Sequence, residues 1–179
     1  VIIDTNGKLL WPDASGMAKP YLIVTSEKVS KEYLDYLDGQ NISWIACGKE
    51  HVDLARAVEI LAEKFGVERM GIVGGPKINT AFLEAGLLDE ISLLVGAGID
   101  GRGGMPSVFD GLAMEHDVTR LKLIDVKKFD SDAVQIRYQC KKVDFFCHKL
   151  VRSVMQKSRC VAIVMYLLFF LQRNRLYLS

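Results

Sequence analysis

Between residues 21 and 96, short apolar runs alternate with longer runs of helical spacing, and nothing else in the chain restricts its fold so strongly. "YLIVTS" (21–26) is β-rich, apolar and ends in polar residues, as a buried strand does. Ser26 or Ser30 can cap a helix over 29–37, which Gly39 stops. "ISWIACG" (42–48) reads as a second strand. In "VDLARAVEILAEKFG" (52–66), apolar residues at 54, 57, 58, 61 and 65 share one helical face, and Gly66 suits the helix end. "RMGIVGG" (69–75) is a third strand, 76–86 a third helix and "DEISLLVG" (89–96) a fourth strand. Strands separated by helices at this spacing predict right-handed crossovers. The fold class is α/β, with a mostly parallel central sheet and helices on both faces.

From Gly96 the texture changes. "GAGIDGRGGMPSVFDG" is a glycine-rich loop, and "TRLKLIDVKKF" and "AVQIRYQC" alternate as a closing antiparallel pair joined through Phe129-Asp130-Ser131-Asp132. The domain is expected to be complete at about Lys142. Residues 143–179 hold six Lys/Arg and one acid, so this stretch carries +5 and residues 1–142 carry −4, which sum to the net +1. An acidic body excludes a general nucleic-acid footprint. Cys160–Leu171 is a run of twelve apolar residues. As a helix it would reach about 18 Å, short of the roughly 30 Å of a bilayer core, so no integral membrane span is expected. Cys47, Cys140, Cys147 and Cys160 show no C-x-x-C spacing, which argues against zinc and against a disulfide framework, and fits a reducing cytoplasm. No metal site is expected.

Two glycine clusters compete for a dinucleotide. Gly96-Ala97-Gly98-Ile99-Asp100-Gly101 matches G-x-G-x-x-G literally, but Arg102-Gly103-Gly104-Met105-Pro106 follows it and no helix starts well there. A phosphate-binding turn of that type runs straight into a helix, so a loop between strands is the better reading. Gly74-Gly75 ends an apolar strand, and Pro76 suits the first position of the next helix. Two residues without Cβ let a ligand approach the backbone, and Lys77 adds a positive charge. The same letters also describe a plain strand-to-helix turn, which on the two glycines alone is the simpler account.

Residues 52–104, with Gly74, Gly75, Asn79, Phe82-Leu83, Gly86-Leu87 and Asp89-Glu90 at the family's positions, resemble the C-terminal reductase domain of the bifunctional riboflavin-biosynthesis enzymes. The similarity extends over roughly residues 20–142. It implies the three-layer dihydrofolate-reductase-like fold and an NADPH cofactor. Gly74, Gly75, Pro76, Lys77 and Ile78 would line the NADPH diphosphate, and Asn79 would help close the turn. Thr25 and Ser26 would lie near the adenosine ribose and its 2′-phosphate. Asp89-Glu90 would be structural. The implied reaction is hydride transfer to the ribosyl C1′ of a phosphoribosylamino-pyrimidine, in a cytoplasmic homodimer. No catalytic residue is assigned.

Three departures accompany the resemblance. Val73 stands where the family has a Glu near the substrate. The family's opening strand and its Ser-x-Asp-Gly turn have only a loose echo in Asp4-Thr5-Asn6-Gly7. Residues 143–179 match nothing in it. The expected organisation is therefore a reductase-like domain over 1–142 without the family's first strand, followed by a dispensable basic and apolar tail, in a fragment or a reading frame altered at both ends. The competing idea is that 160–171 fill the gap left by that strand. An impaired reductase, a non-catalytic nucleotide-binding module of the same fold, and a partner or membrane-surface binder acting through the tail are the alternatives.

Overall fold

The computed structural model describes residues 1–19, 21–99, 101–112, 115 and 117–140, together with the backbone of 159–166. The chain forms two units, Val1–Val67 and Glu68–Ser179.

In the first unit, β1 (Ile2–Ile3), β2 (Leu22–Thr25) and β3 (Ser43–Ala46) pair in that order, all parallel. Helix α1 (Lys31–Gly39) connects β2 to β3, and α2 (Leu54–Phe65) follows β3. Ser30 is the cap of α1, its hydroxyl accepting from Tyr33 N at 3.3 Å. The helix runs through Gly39 rather than stopping there, because the left-handed residue is Asn41, whose amide Nδ2 is held 2.9 Å from Asp13 Oδ1. Asp53 caps α2 by accepting from Arg56 N at 3.0 Å, and Gly66 ends it with its N–H on Leu61 O, as the spacing predicts. Ile23 and Leu37 are fully buried and pack with Tyr33, Ile42 and Ala14. Each such aliphatic side chain contributes about 1.5–3 kcal/mol by leaving water.

In the second unit, β4 (Arg69–Gly71) leads through a turn into α3 (Pro76–Glu84), and β5 (Glu90–Val95) follows. Helix α3 closes with Leu87 N on Phe82 O at 3.0 Å and Gly86 N on Leu83 O at 2.9 Å, a wrap that satisfies its last carbonyls. The expected hairpin forms from β6 (Leu121–Lys128) and β7 (Val134–Cys140), with Phe129 N on Ala133 O closing the turn. β7 lies antiparallel to β5, and the pairing is fixed across one face by Gln135 Nε2 to Ser92 Oγ at 2.8 Å and Arg137 Nη2 to Glu90 Oε1 at 2.6 Å.

Arg159–Tyr166 is strand β8, lying between β4 and β5 and parallel to both, in a sheet of order β4-β8-β5-β7-β6. The parallel pairings fall into two ladders, β1-β2-β3 in the first unit and β4-β8-β5 in the second. The physical reason is backbone pairing. With β7 on one side, the other side of β5 needs a partner, and an apolar β-branched segment is the kind of sequence that fills an inner parallel position.

Candidate functional site

Strand β4 ends at Gly71, and four residues turn the chain into α3. Ile72 is buried, whereas Val73 is 71% exposed. A Cβ on Gly74 would sit 3.0 Å from Ile78 Cβ, Cγ1 and Cγ2, so the turn closes tightly on the helix's own first residues. Gly75 caps α3 at φ 90 and ψ −179, a region open essentially to glycine alone. Among the described residues, nothing beyond the adjoining backbone lies within 4 Å of the place its Cβ would take. Pro76 is at the first helical position, no side chain caps the helix, and no acid lies in its first turn. Lys77 is exposed and Ile78 half-buried. A helix start with uncapped amides, no acid in its first turn and bare backbone in front of it suits an anion. These residues therefore fit the diphosphate of a dinucleotide.

Asn79 is 2% exposed. Its N–H bonds Gly75 O at 2.9 Å, as the first turn of the helix requires. Its Nδ2 donates to Val108 O at 2.9 Å, and its neighbour Thr80 accepts from Asp110 N at 2.9 Å. Asn79 Oδ1 is buried and finds no partner among the described residues. Sequence reasoning missed Thr80, Val108 and Asp110 altogether. The one available signal was a pair of adjacent polar residues, Asn79 and Thr80, next to the apolar Ala81-Phe82-Leu83 of the same helix. The glycine-rich stretch from Gly96 leads into no helix among its described residues, as expected.

Thr25 and Ser26 lie in the other unit, at the end of β2. Both are fully buried, Ser26 Oγ donates to Thr5 O at 2.7 Å, and Thr25 Oγ1 has no partner among the described residues. Neither hydroxyl reaches the surface.

The stretch Asp4-Thr5-Asn6-Gly7 is a packing device in this structure. Asp4 is 7% exposed and accepts from Lys8 N at 3.0 Å, Leu9 N at 2.9 Å and the Tyr33 hydroxyl at 2.8 Å. Burial pushes its carboxyl up, but the bonds from Leu9, Tyr33 and Lys8 outweigh that and hold it below its ordinary value. Tyr33 is pushed up to about 12, first by burial and also because its proton is held by the Asp4 carboxylate. Trp11 Nε1 donates to the same hydroxyl at 3.2 Å, and a Cβ on Gly7 would lie 2.7 Å from the Tyr33 ring. Every polar atom of this cluster named here is engaged in holding residues 4–11 onto α1.

A groove of about 300 Å³ opens beside Leu83, Ile91, Phe109, Leu112 and Leu121. Leu83 is in the last turn of α3, about 12 Å along the helix from Gly75, so this groove is not the glycine turn.

Comparison with known proteins follows the same residues. The RibD C-terminal domain family matches residues 1–135, beginning well before residue 20. The riboflavin biosynthesis protein RibD of Chlamydia muridarum (strain MoPn / Nigg) is 28% identical over 115 residues, which cover 62% of this chain and 30% of that protein. This chain thus spans less than a third of the length of that relative. A pyrimidine reductase-like protein from Corynebacterium diphtheriae superposes with a TM-score of 0.64 at 18% identity, covering 79% of this chain and 60% of that one. Acinetobacter baumannii RibD, form 2, superposes at 0.58 with 19% identity, covering 78% of this chain and 37% of that one. The fold is therefore the one these two structures share, α/β with parallel ladders and a C-terminal antiparallel pair. With three quarters of its length matched by one family model, the chain belongs to the RibD C-terminal domain family.

Proposed function

We propose that this chain is the reductase domain of riboflavin biosynthesis, binding NADPH at Gly74-Gly75-Pro76 and reducing 5-amino-6-(5-phosphoribosylamino)uracil. The observation that carries the reading is the start of α3, where a glycine-only conformation at Gly75 leaves bare backbone before uncapped helix amides. NADPH, when bound, supplies the hydride that opens the ribosyl ring at C1′ to a ribityl chain. The protein's part is to orient: Gly74 and Gly75 admit the diphosphate, Pro76 fixes the helix start, Lys77 adds charge, and Ile78 and Asn79 keep the turn closed. The ribose contact expected of Thr25 and Ser26 keeps only the family resemblance behind it, because both hydroxyls lie inside their own unit. The partner is a small-molecule pyrimidine-ribose phosphate and not a nucleic acid. A homodimer in the cytoplasm completes the proposal. Among the described residues no helix is long and apolar enough to cross a membrane.

The test is a fluorescence titration of the chain with NADPH and with NADH. Tighter binding of NADPH is expected, and equal or absent binding of both removes the cofactor claim. Light scattering checks the dimer. One observation favours a second reading, a nucleotide-binding module without turnover: Val73 is 71% exposed where the family has a Glu near substrate. NADPH binding with no conversion of the pyrimidine, restored in Val73→Glu, would select it.

A further inference from the structure

Strands β4 and β5 both run parallel to β8, so their C-terminal ends lie at one edge of the sheet. Two segments leave that edge: Ile72–Gly75, which enters α3, and the glycine-rich stretch from Gly96 to Gly111. In open parallel sheets, ligands bind at this edge. The far end of the glycine-rich stretch comes back to α3 through Asn79 Nδ2 on Val108 O and Asp110 N on Thr80 Oγ1, both at 2.9 Å. Asn79 and Thr80 lie one turn into the helix that Gly75 caps, and their side chains are 2% and 4% exposed. Short of Val108 the described residues from 97 on are exposed to solvent: Ile99 is 95% and Met105 61% exposed, and residues 101–107 are all exposed. Val108 O needs a donor, so the Asn79 amide nitrogen must face it, which leaves Asn79 Oδ1 buried and unpartnered among the described residues. An unpaired buried acceptor weakens the closed arrangement, so the attachment is one that can release.

We propose that Asn79 and Thr80 are positioning residues, a two-bond latch that holds the glycine-rich stretch beside the Gly74-Gly75 turn as the second wall of the dinucleotide site. The proposal rests on the cofactor reading above. Asn79 acts through Val108 and Thr80 through Asp110, and neither touches the reacting atoms.

Limited trypsin cleavage at the Arg102–Gly103 bond reads the latch directly, because proteolysis of a transiently open segment follows its open population. The full chain, Thr80→Val, Thr80→Ser and Asn79→Leu are compared with and without NADPH, and the cut is identified by mass. Without nucleotide, Thr80→Val should be cut about five- to tenfold faster than the natural chain, the effect of losing one ordinary hydrogen bond. Thr80→Ser, which keeps the acceptor, should behave as the natural chain, and Asn79→Leu should resemble Thr80→Val. NADPH should protect the natural chain at Arg102, and Thr80→Val should bind NADPH more weakly by a similar factor. Equal cleavage in Thr80→Val and the natural chain overturns the latch. Faster cleavage with unchanged NADPH affinity overturns its role as a wall of the site. If the natural chain binds no NADPH, the cofactor reading fails, and the nucleotide-free comparison of Thr80→Val with Thr80→Ser still decides the latch. Should Asn79→Leu fail to fold, the Thr80 pair decides alone.

Discussion

Ending the chain at Lys142 removes β8 and should unfold the second unit while sparing the first. β8 pairs with β5 over six positions, from Glu90↔Val161 to Val95↔Tyr166, and with β4 over three, from Arg69↔Arg159 to Gly71↔Val161. A parallel ladder carries about one hydrogen bond per pair, so on the order of nine are lost. At a net 0.5–1.5 kcal/mol each, that is about 4.5–13.5 kcal/mol, as large as the whole stability of an ordinary domain. The parallel ladder β1-β2-β3 keeps all its pairings, since none involves a residue beyond Ala46. Thermal melts and amide exchange of the two chain lengths test this. Expected are loss of the cooperative transition and rapid exchange at Ile91–Leu94 in the shorter chain, with Ile23–Thr25 still protected. A 1–142 chain that melts at the same temperature, with β5 amides still slow, would show that β8 contributes nothing and that the tail is dispensable, as its composition alone implies.

Gly75→Val should abolish NADPH binding and cost about 1–3 kcal/mol, because the residue is held at φ 90 and ψ −179; normal nucleotide affinity in a folded variant would place the cofactor elsewhere. The Asp4–Tyr33 pair predicts two pH limits for the first unit. Asp4 is held below its ordinary 3.8, so its contribution is present above that value and lost as pH falls through the lower folded value. Tyr33 is raised from 10.0 to about 12, so its contribution is present below pH 10 and lost on the way to about 12. Melts of Asp4→Asn and Tyr33→Phe across pH should flatten the acid and the alkaline limb respectively, and unchanged limbs would refute the pairing.

The elements were legible wherever local chemistry decides them. Ser30, Asp53 and Gly66 sit where helix ends need them, and the hairpin between Lys128 and Val134 follows from its turn residues. Helix α1 was misjudged by two residues because Gly39 tolerates a helical conformation and Asn41, tied to Asp13, takes the left-handed one. Strand order was not legible. Which parallel strand neighbours which depends on backbone groups far apart in sequence, and Arg159–Tyr166 pairs with residues 69–71 and 90–95 across long connections.

The candidate site residues divide along the same line. The conformation of Gly74-Gly75-Pro76 could be read from sequence because each residue type answers a local demand, a left-handed cap or a first helical turn. The burial of the Thr25 and Ser26 hydroxyls could not, because polarity at a strand end does not say which way a hydroxyl points, and Ser26 donates to Thr5 O. Asp4 shows the same limit from the other side. An Asp beside Asn-Gly suggests a ligand-facing turn, yet its carboxylate is taken by two backbone amides and a tyrosine brought 29 positions along the chain. Residues that answer a local backbone demand can be read from sequence with their conformation attached. Residues whose role is a long-range hydrogen bond, such as Asn79 to Val108 and Thr80 to Asp110, carry no such mark, and those are the contacts on which closure of the glycine-rich stretch depends.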